Sequence, residues 1–364
     1  MMKKILLLLI PLSLLILFVT KTNPEIAENL FALKIYDSIS QPVSRFFGMV
    51  PISAAEVLFY AFVLMCIFVF FGFIRKIVIS RGERISVLGS GLLDLLCAMG
   101  IGFFLFMILN GTNYYRYDFL HYMNLQAQQT SSESLAGLCM SLAEKTNSAR
   151  NAVMTDEDGN MQLGDVSAAA LEAADAMSLL GDKYVVLKRY YPQPKPVLAS
   201  KMMSYAQITG MFTAFTMEAN INVDQPDYNI PADMCHELAH VAGFMREDEA
   251  NFIAYLACTG SGSPEFVYSG MMSALINATN ALYGEDVAEW EKVLASLDEG
   301  VINDLDHNSL YWRQFDNTKL GETIGSASTK LNDTYLKLNG QKDGVKSYGR
   351  MVDLLLAEYS ENLN

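Results

Sequence analysis

Charge is scarce in this sequence, and basic charge scarcer still. Only 18% of its 364 residues are charged, against about 25% in an ordinary soluble domain, while 51% are hydrophobic. That balance excludes a disordered chain and a purely water-soluble one. The 26 Lys and Arg are outnumbered by 40 Asp and Glu. Residues 1–109 carry nine basic and six acidic side chains, whereas residues 110–364 carry 17 and 34. So acidic a second part repels phosphate backbones, and no nucleic-acid partner is expected. Cysteine is sparse too. Of five, Cys66 and Cys97 fall in apolar runs, which leaves Cys139, Cys235 and Cys258, an odd number that excludes a disulfide-stapled scaffold. Cys235 and Cys258 are either one bridge or two small buried apolar residues. Internal repeats are absent, as are low-complexity segments outside the apolar runs.

Long apolar runs occur three times before residue 110. Ile5–Val19 lies within a first segment, residues 1–20, followed by Ser53–Ile74 and Ser86–Leu109. The last two reach the roughly 20 residues a helix needs to cross a bilayer. The first is shorter and competes with a signal peptide. It runs on into TKTNPE without a small-x-small cleavage site, so an uncleaved anchor is expected. Lys3 and Lys4 precede the first span, and the connector 75–85 holds Arg75, Lys76, Arg81 and Arg84. Cationic residues stay in the cytoplasm, which places the amino terminus and the connector there. Residues 21–52, an expected loop, and residues 110–364 then lie outside. The expectation is a multi-pass cell-membrane protein whose first partner is the lipid bilayer. Glu56 is near the end of a span, within reach of headgroups; Asp94 is deeper and suits helix packing or an interfacial role.

The polar part begins NGTNYYRYDF, where Tyr114, Tyr115, Tyr117 and Arg116 read as an aromatic and cationic collar at headgroup level. Residues 131–155 and 165–181 have helical apolar spacing, with a turn or loop at 156–164 between them. The three prolines of Tyr190–Leu198 require an extended linker, a spacer or the lining of a groove. Met211–Val223 alternates and is rich in Phe, Thr, Ile and Val, so at least one strand is expected there. Helical patterning then continues to the carboxyl end. The fold class expected for 110–364 is mainly α with a small sheet.

Histidine is the rarest informative residue, with four copies: His121, His236, His240 and His307. Two fall in CHELAHVAGF, residues 235–244. At about 100° per residue, His236 and His240 lie roughly 40° apart and one turn along a helix, so their imidazoles can share one ion. Glu237 lies about a quarter turn round, able to reach a metal-activated water as general base. This HExxH spacing, with Pro231–Ala232–Asp233 as helix start, points to Zn²⁺. Catalytic zinc needs a third protein ligand, and Arg246 stands where the long HExxHxxGxxH pattern requires histidine, which excludes that class. The next segment, REDEANFIAYLAC, supplies Glu247, Asp248 and Glu249 at the start of a second apolar helix face.

HExxH followed by E-x-E-A-N on a second helix resembles the glutamate-ligand zinc peptidases. The resemblance implies Glu247 as third ligand, Asn251 in the place that supports a ligand histidine, and Glu249 as the alternative metal ligand. It also implies a zincin-like domain. The wider chain resembles a bacterial three-span membrane family known only as a domain of unknown function. The resemblance is carried by the three spans, NYYR, HELAHVAGFMREDEANF and the closing YLKLNGQKDGVKSYGRMVDLL at 335–355.

An oxyanion donor is sought among His307, Tyr311, Arg313, Tyr335 and Tyr348. The strand at 211–223 could align an extended peptide, with Asn220 and Asn222 facing it. The expected function is a membrane-anchored zinc metallopeptidase acting on exported or surface proteins. Its rivals are a non-catalytic zinc-containing surface module and a zinc amide hydrolase of cell-wall material.

Overall fold

The computed structural model describes residues 2–125, 131–339, 341 and 350–363. Three helices, Met2–Thr22, Ala54–Ile79 and Arg84–Leu109, are long and apolar enough to cross a membrane. The first packs on the third. Gly100 makes the approach possible, since a Cβ there would lie 3.2 Å from Ile10 Cγ1 and 3.3 Å from the Leu6 carbonyl oxygen. Lys3 Nζ meets Asp94 Oδ1 at 2.6 Å across the same contact, so Asp94 serves helix packing.

Residues 21–52, expected as a loop, are mostly helical. Asn23 accepts from the Ile26 amide, a π-helical stretch runs over Ala27–Tyr36, and Asp37–Gly48 follows. This segment docks on the polar part of the chain through Tyr36, which is buried with Leu109, Tyr114, Met217 and Met245 in a small apolar cluster.

The main core lies among Ser132–Arg150, Val166–Lys183, Ile230–Val241, Glu247–Gly260, Pro264–Glu285 and Met351–Leu363. Ser131 and Ser134 form a reciprocal capping box at the first of these, and Asp165 caps the second. Ala169, Ala170, Ala173 and Ala176 give the second helix a thin buried face. The first stops at Arg150, short of residue 155. The Arg150 guanidinium is drawn inward, where Nε donates to Asp304 Oδ2 at 2.6 Å and Nη2 to the Gly159 carbonyl at 2.7 Å. Asp304 also accepts from the Met161 amide and the Tyr268 hydroxyl, which fastens the 156–164 loop to the core.

The sheet has three short strands in the order β1-β3-β2: β1 Lys195–Pro196, β2 Gly210–Thr213 and β3 Glu218–Ile221. β1 runs parallel to β3, with Lys195 opposite Asn220; β2 runs antiparallel, with Met211 opposite Asn220. The proline-rich linker thus contributes an edge strand, a sheet position where proline is tolerated because its missing N–H can face away from the ladder. Buried Glu218 pairs with Lys195 and accepts from the amides of Ala54 and Ala55, the first turn of the second apolar helix. Ser53, the cap of that helix, donates to Asn220 Oδ1 at 2.6 Å. Glu56 accepts from the Leu198 and Ala199 amides at 2.8 and 3.0 Å, so it is bound by protein instead of reaching headgroups.

Candidate metal centre

The His helix, Ile230–Val241, begins with Pro231 in its first turn, where a missing amide hydrogen costs nothing. It ends at Gly243, whose φ of +87° a side chain would strain; the turn sends Phe244 back to donate to the Ala239 carbonyl. Glu247–Gly260, the Glu helix, starts three residues later and packs alongside. The result is a convergence of three ligand atoms. Glu247 Oε2 lies 3.2 Å from His236 Nε2 and 3.6 Å from His240 Nε2. Each histidine is held by its other nitrogen: His236 Nδ1 lies 2.7 Å from Asn251 Oδ1, and His240 Nδ1 lies 2.7 Å from the Phe244 carbonyl oxygen. Those acceptors fix both rings with Nε2 toward the centre, the arrangement that tunes a metal-ligating imidazole. His236, His240 and Glu247 form a group able to hold a metal ion.

The two candidate glutamates separate cleanly. Glu249 turns away to Arg246, with contacts of 2.6 and 2.7 Å, and accepts from the Phe119 amide. Its position therefore serves packing. Replacing Glu247 with alanine is expected to cut bound metal from about one ion per chain to a small fraction. Glu249→Ala should leave the stoichiometry of folded protein unchanged and cost roughly 3 kcal/mol, because it strands the Arg246 charge. Metal analysis beside a denaturant titration checks both; metal lost from Glu249→Ala but not Glu247→Ala would reverse the assignment.

Burial and mutual attraction set the charges here. Burial opposes a charge on His236, but the Glu247 carboxylate outweighs it and lifts the imidazole to about 9. Burial likewise works against the Glu247 carboxylate, yet the two histidines hold it well below the usual range. Glu237 is pushed up to about 7, chiefly by burial, against the pull of the imidazoles. It is 6% exposed, and its Oε2 has no hydrogen-bond partner. A lone buried carboxylate oxygen one residue from a ligand is costly unless it has work to do.

Gly210 of β2 makes room for that carboxylate. A Cβ at 210 would sit 2.6 Å from Glu237 Oε1, so the glutamate lies against the backbone of an edge strand. The sequence carries one signal for this, a glycine at the head of an alternating segment. Asn220 of β3 and Asn222, just past its end, do not face outward. Asn220 binds Ser53, the Met211 carbonyl and Thr213; Asn222 binds Ser204 and the Ile208 carbonyl.

Support for the His helix comes from far away in sequence. The Tyr36 hydroxyl donates to the His240 and Val241 carbonyls at 3.2 and 3.0 Å. Arg116 pairs with Glu28 at 2.8 Å, reaches the Ala242 and Gly243 carbonyls, and lies 4.1 Å over the Phe244 ring. Arg116 and Tyr114 are buried in protein, so they form no headgroup collar. The guanidinium is consumed by Glu28 and by the carbonyls that end the His helix.

The oxyanion candidates scatter. His307 and Tyr311 line a separate cleft of about 280 Å³ with Asp156, Asp224 and Asp227, and Tyr311 bonds Ser204 and Asp224. Arg313 donates to Ser309 on the exposed side of its own helix. Tyr348 lies outside the described residues. Tyr335 packs beside Tyr114 at the end of the third apolar helix: its hydroxyl meets that of Tyr114 at 3.2 Å, and burial, with a smaller effect of the Glu247 carboxylate, raises its phenol. Cys235 and Cys258 are both buried free thiols in the core between the His and Glu helices, so no bridge joins them.

No curated protein and no solved structure matches the chain. A family described as a protein of unknown function (DUF3810) matches residues 31–356, a span that takes in both apolar helices after the first, the sheet and the metal centre. By that match the chain belongs to this family.

Proposed function

We propose that the protein is a membrane-anchored zinc metallopeptidase that cleaves exported or surface proteins. In this reading the three apolar helices span the cell membrane, with the amino terminus and the basic connector in the cytoplasm and the metal centre outside. The reading rests above all on one juxtaposition. An unpartnered, buried Glu237 oxygen lies beside a two-histidine, one-glutamate donor set and against an edge strand. Two imidazoles and a carboxylate with a fourth position open is the donor set of catalytic zinc. Bound there, Zn²⁺ supplies a Lewis acid that polarises a carbonyl and acidifies water.

The chain's own residues do the rest. His236, His240 and Glu247 hold the ion, and Asn251 with the Phe244 carbonyl keeps the imidazoles aimed. Glu237 takes the proton of the attacking water and passes it to the leaving amine. β2, with one edge outside the sheet, pairs with an extended substrate and lays its backbone past Glu237.

Purified full-length protein in detergent tests this. It is expected to carry about one zinc per chain and to cleave an unfolded protein. A chelator should stop the cleavage, and added zinc should restore it. Zinc without hydrolysis of any peptide would favour the surface-binding module. Cleavage of cell-wall fragments alone would favour the amide hydrolase, and a folded chain that binds no divalent ion would end the enzyme reading.

A further inference from the structure

The helix Lys319–Leu338 carries an apolar face that is largely uncovered among the described residues. At about 100° per residue, Leu320, Ile324, Leu331, Tyr335 and Leu338 fall within a stripe roughly 60° wide. A stripe of this kind normally faces a core. Here Leu331 is 72% exposed and Leu338 78%, while the helix presents Gly321, Gly325 and Leu336 to the protein. Lys319, Lys330 and Lys337 lie roughly 100–120° to one side of the stripe centre, and Glu322 and Asp333 lie on the far face. Lys337 meets Asp333 at 2.6 Å.

The stripe is continuous with an apolar surface of known place. The Tyr335 ring packs edge-on against Phe106, in the last turn of the third apolar helix, at 6.2 Å, and against Tyr114 at 6.3 Å. Its hydroxyl also reaches Asn110, where that helix ends. Leu198, 88% exposed, sits at the matching end of the second apolar helix, where its amide is held by Glu56.

We propose that Lys319–Leu338 is an interfacial helix. It lays its apolar stripe on the lipid surface around the third apolar helix, with its lysines extended toward anionic headgroups. This rests on the membrane-anchored reading above.

The test uses full-length protein in vesicles of phosphatidylcholine and phosphatidylglycerol containing lipids that quench fluorescence. Cys66 is the one exposed cysteine, so a fluorophore on it reports the second apolar helix. In a Cys66→Ser background, labels at Leu331→Cys and Glu322→Cys report the two faces of the helix. Lipid quenching of the Leu331→Cys label is expected to exceed that of the Glu322→Cys label several-fold, with aqueous iodide giving the reverse order. Equal iodide quenching at both positions would overturn the proposal. So would shielding of Leu331→Cys from both quenchers, which means a protein cover, or shielding only when peptide is added, which means a substrate wall. If the Cys66 label itself escapes the lipid quencher, the membrane anchoring fails as well.

Discussion

Glu237→Gln is expected to yield a folded protein that keeps its metal and loses peptide hydrolysis by about 10²–10⁴-fold. The substitution preserves shape and removes only the ability to take a proton. The Glu237 side chain is buried against Gly210, and none of the metal-facing atoms of His236, His240 or Glu247 depends on it. His236→Ala must behave differently, because it deletes a ligand: metal and activity should fall together. A smaller intrusion makes the same point from the strand side. Gly210→Ala places a methyl 2.6 Å from Glu237 Oε1, so it should slow turnover while leaving metal content intact. Metal content and turnover measured on the same preparations decide the matter. Full activity in Glu237→Gln would remove this residue from the chemistry and leave the centre as a structural metal site.

The second large effect concerns stability. Arg116→Ala is expected to cost about 3–5 kcal/mol, the usual penalty for removing one member of a buried ion pair. Both partners are almost fully buried, with the guanidinium bound to Glu28 through Nε at 3.0 Å and Nη2 at 2.8 Å. The loss strands the Glu28 carboxylate and frees the carbonyls of Ala242 and Gly243. In a chain of this size the shift in Tm should be on the order of 10 °C. Metal affinity should weaken too, since the Phe244 carbonyl that orients His240 lies in the turn Arg116 covers. Arg116→Lys keeps the charge but not the two-pronged contact, and should recover only part of the loss. Thermal unfolding with and without zinc reads both effects. An unchanged Tm would show that the turn is held without Arg116.

The metal centre was largely legible because its spacing is local. His236, Glu237 and His240 lie within one helical turn and a third, and Gly243 announces the bend that brings the Glu helix back. Local spacing could not choose between Glu247 and Glu249, which both open the second helix. Arg246 makes the choice by occupying Glu249, and an arginine beside two acids looks the same on paper whichever it binds. The supports were out of reach for a different reason. Glu28 and Arg116 are 88 positions apart and Tyr36 and His240 are 204, and no periodicity links them. Arg116 beside three tyrosines has the composition of a headgroup collar, yet burial of a single carboxylate redirects it inward. The sheet was half visible. Strands of two to four residues carry too few side chains to show alternation, so the pattern implies at least one strand where a hairpin forms and only an extended linker where β1 lies.

The bonds from Glu218 and Asn220 to the start of Ala54–Ile79, together with Tyr36 and Glu28 at the His helix, separate two boundaries that are easily confused. Solubility changes at residue 110, but packing does not. The hydrophilic part is keyed into residues 24–56 by hydrogen bonds and by the ion pairs Arg116–Glu28 and Arg189–Asp37, which water would have to replace one by one. The apolar amino-terminal part is therefore also scaffold. Truncation ahead of residue 110 would remove, along with the apolar helices, the wedge that Tyr36 and Glu28 place behind the two histidines.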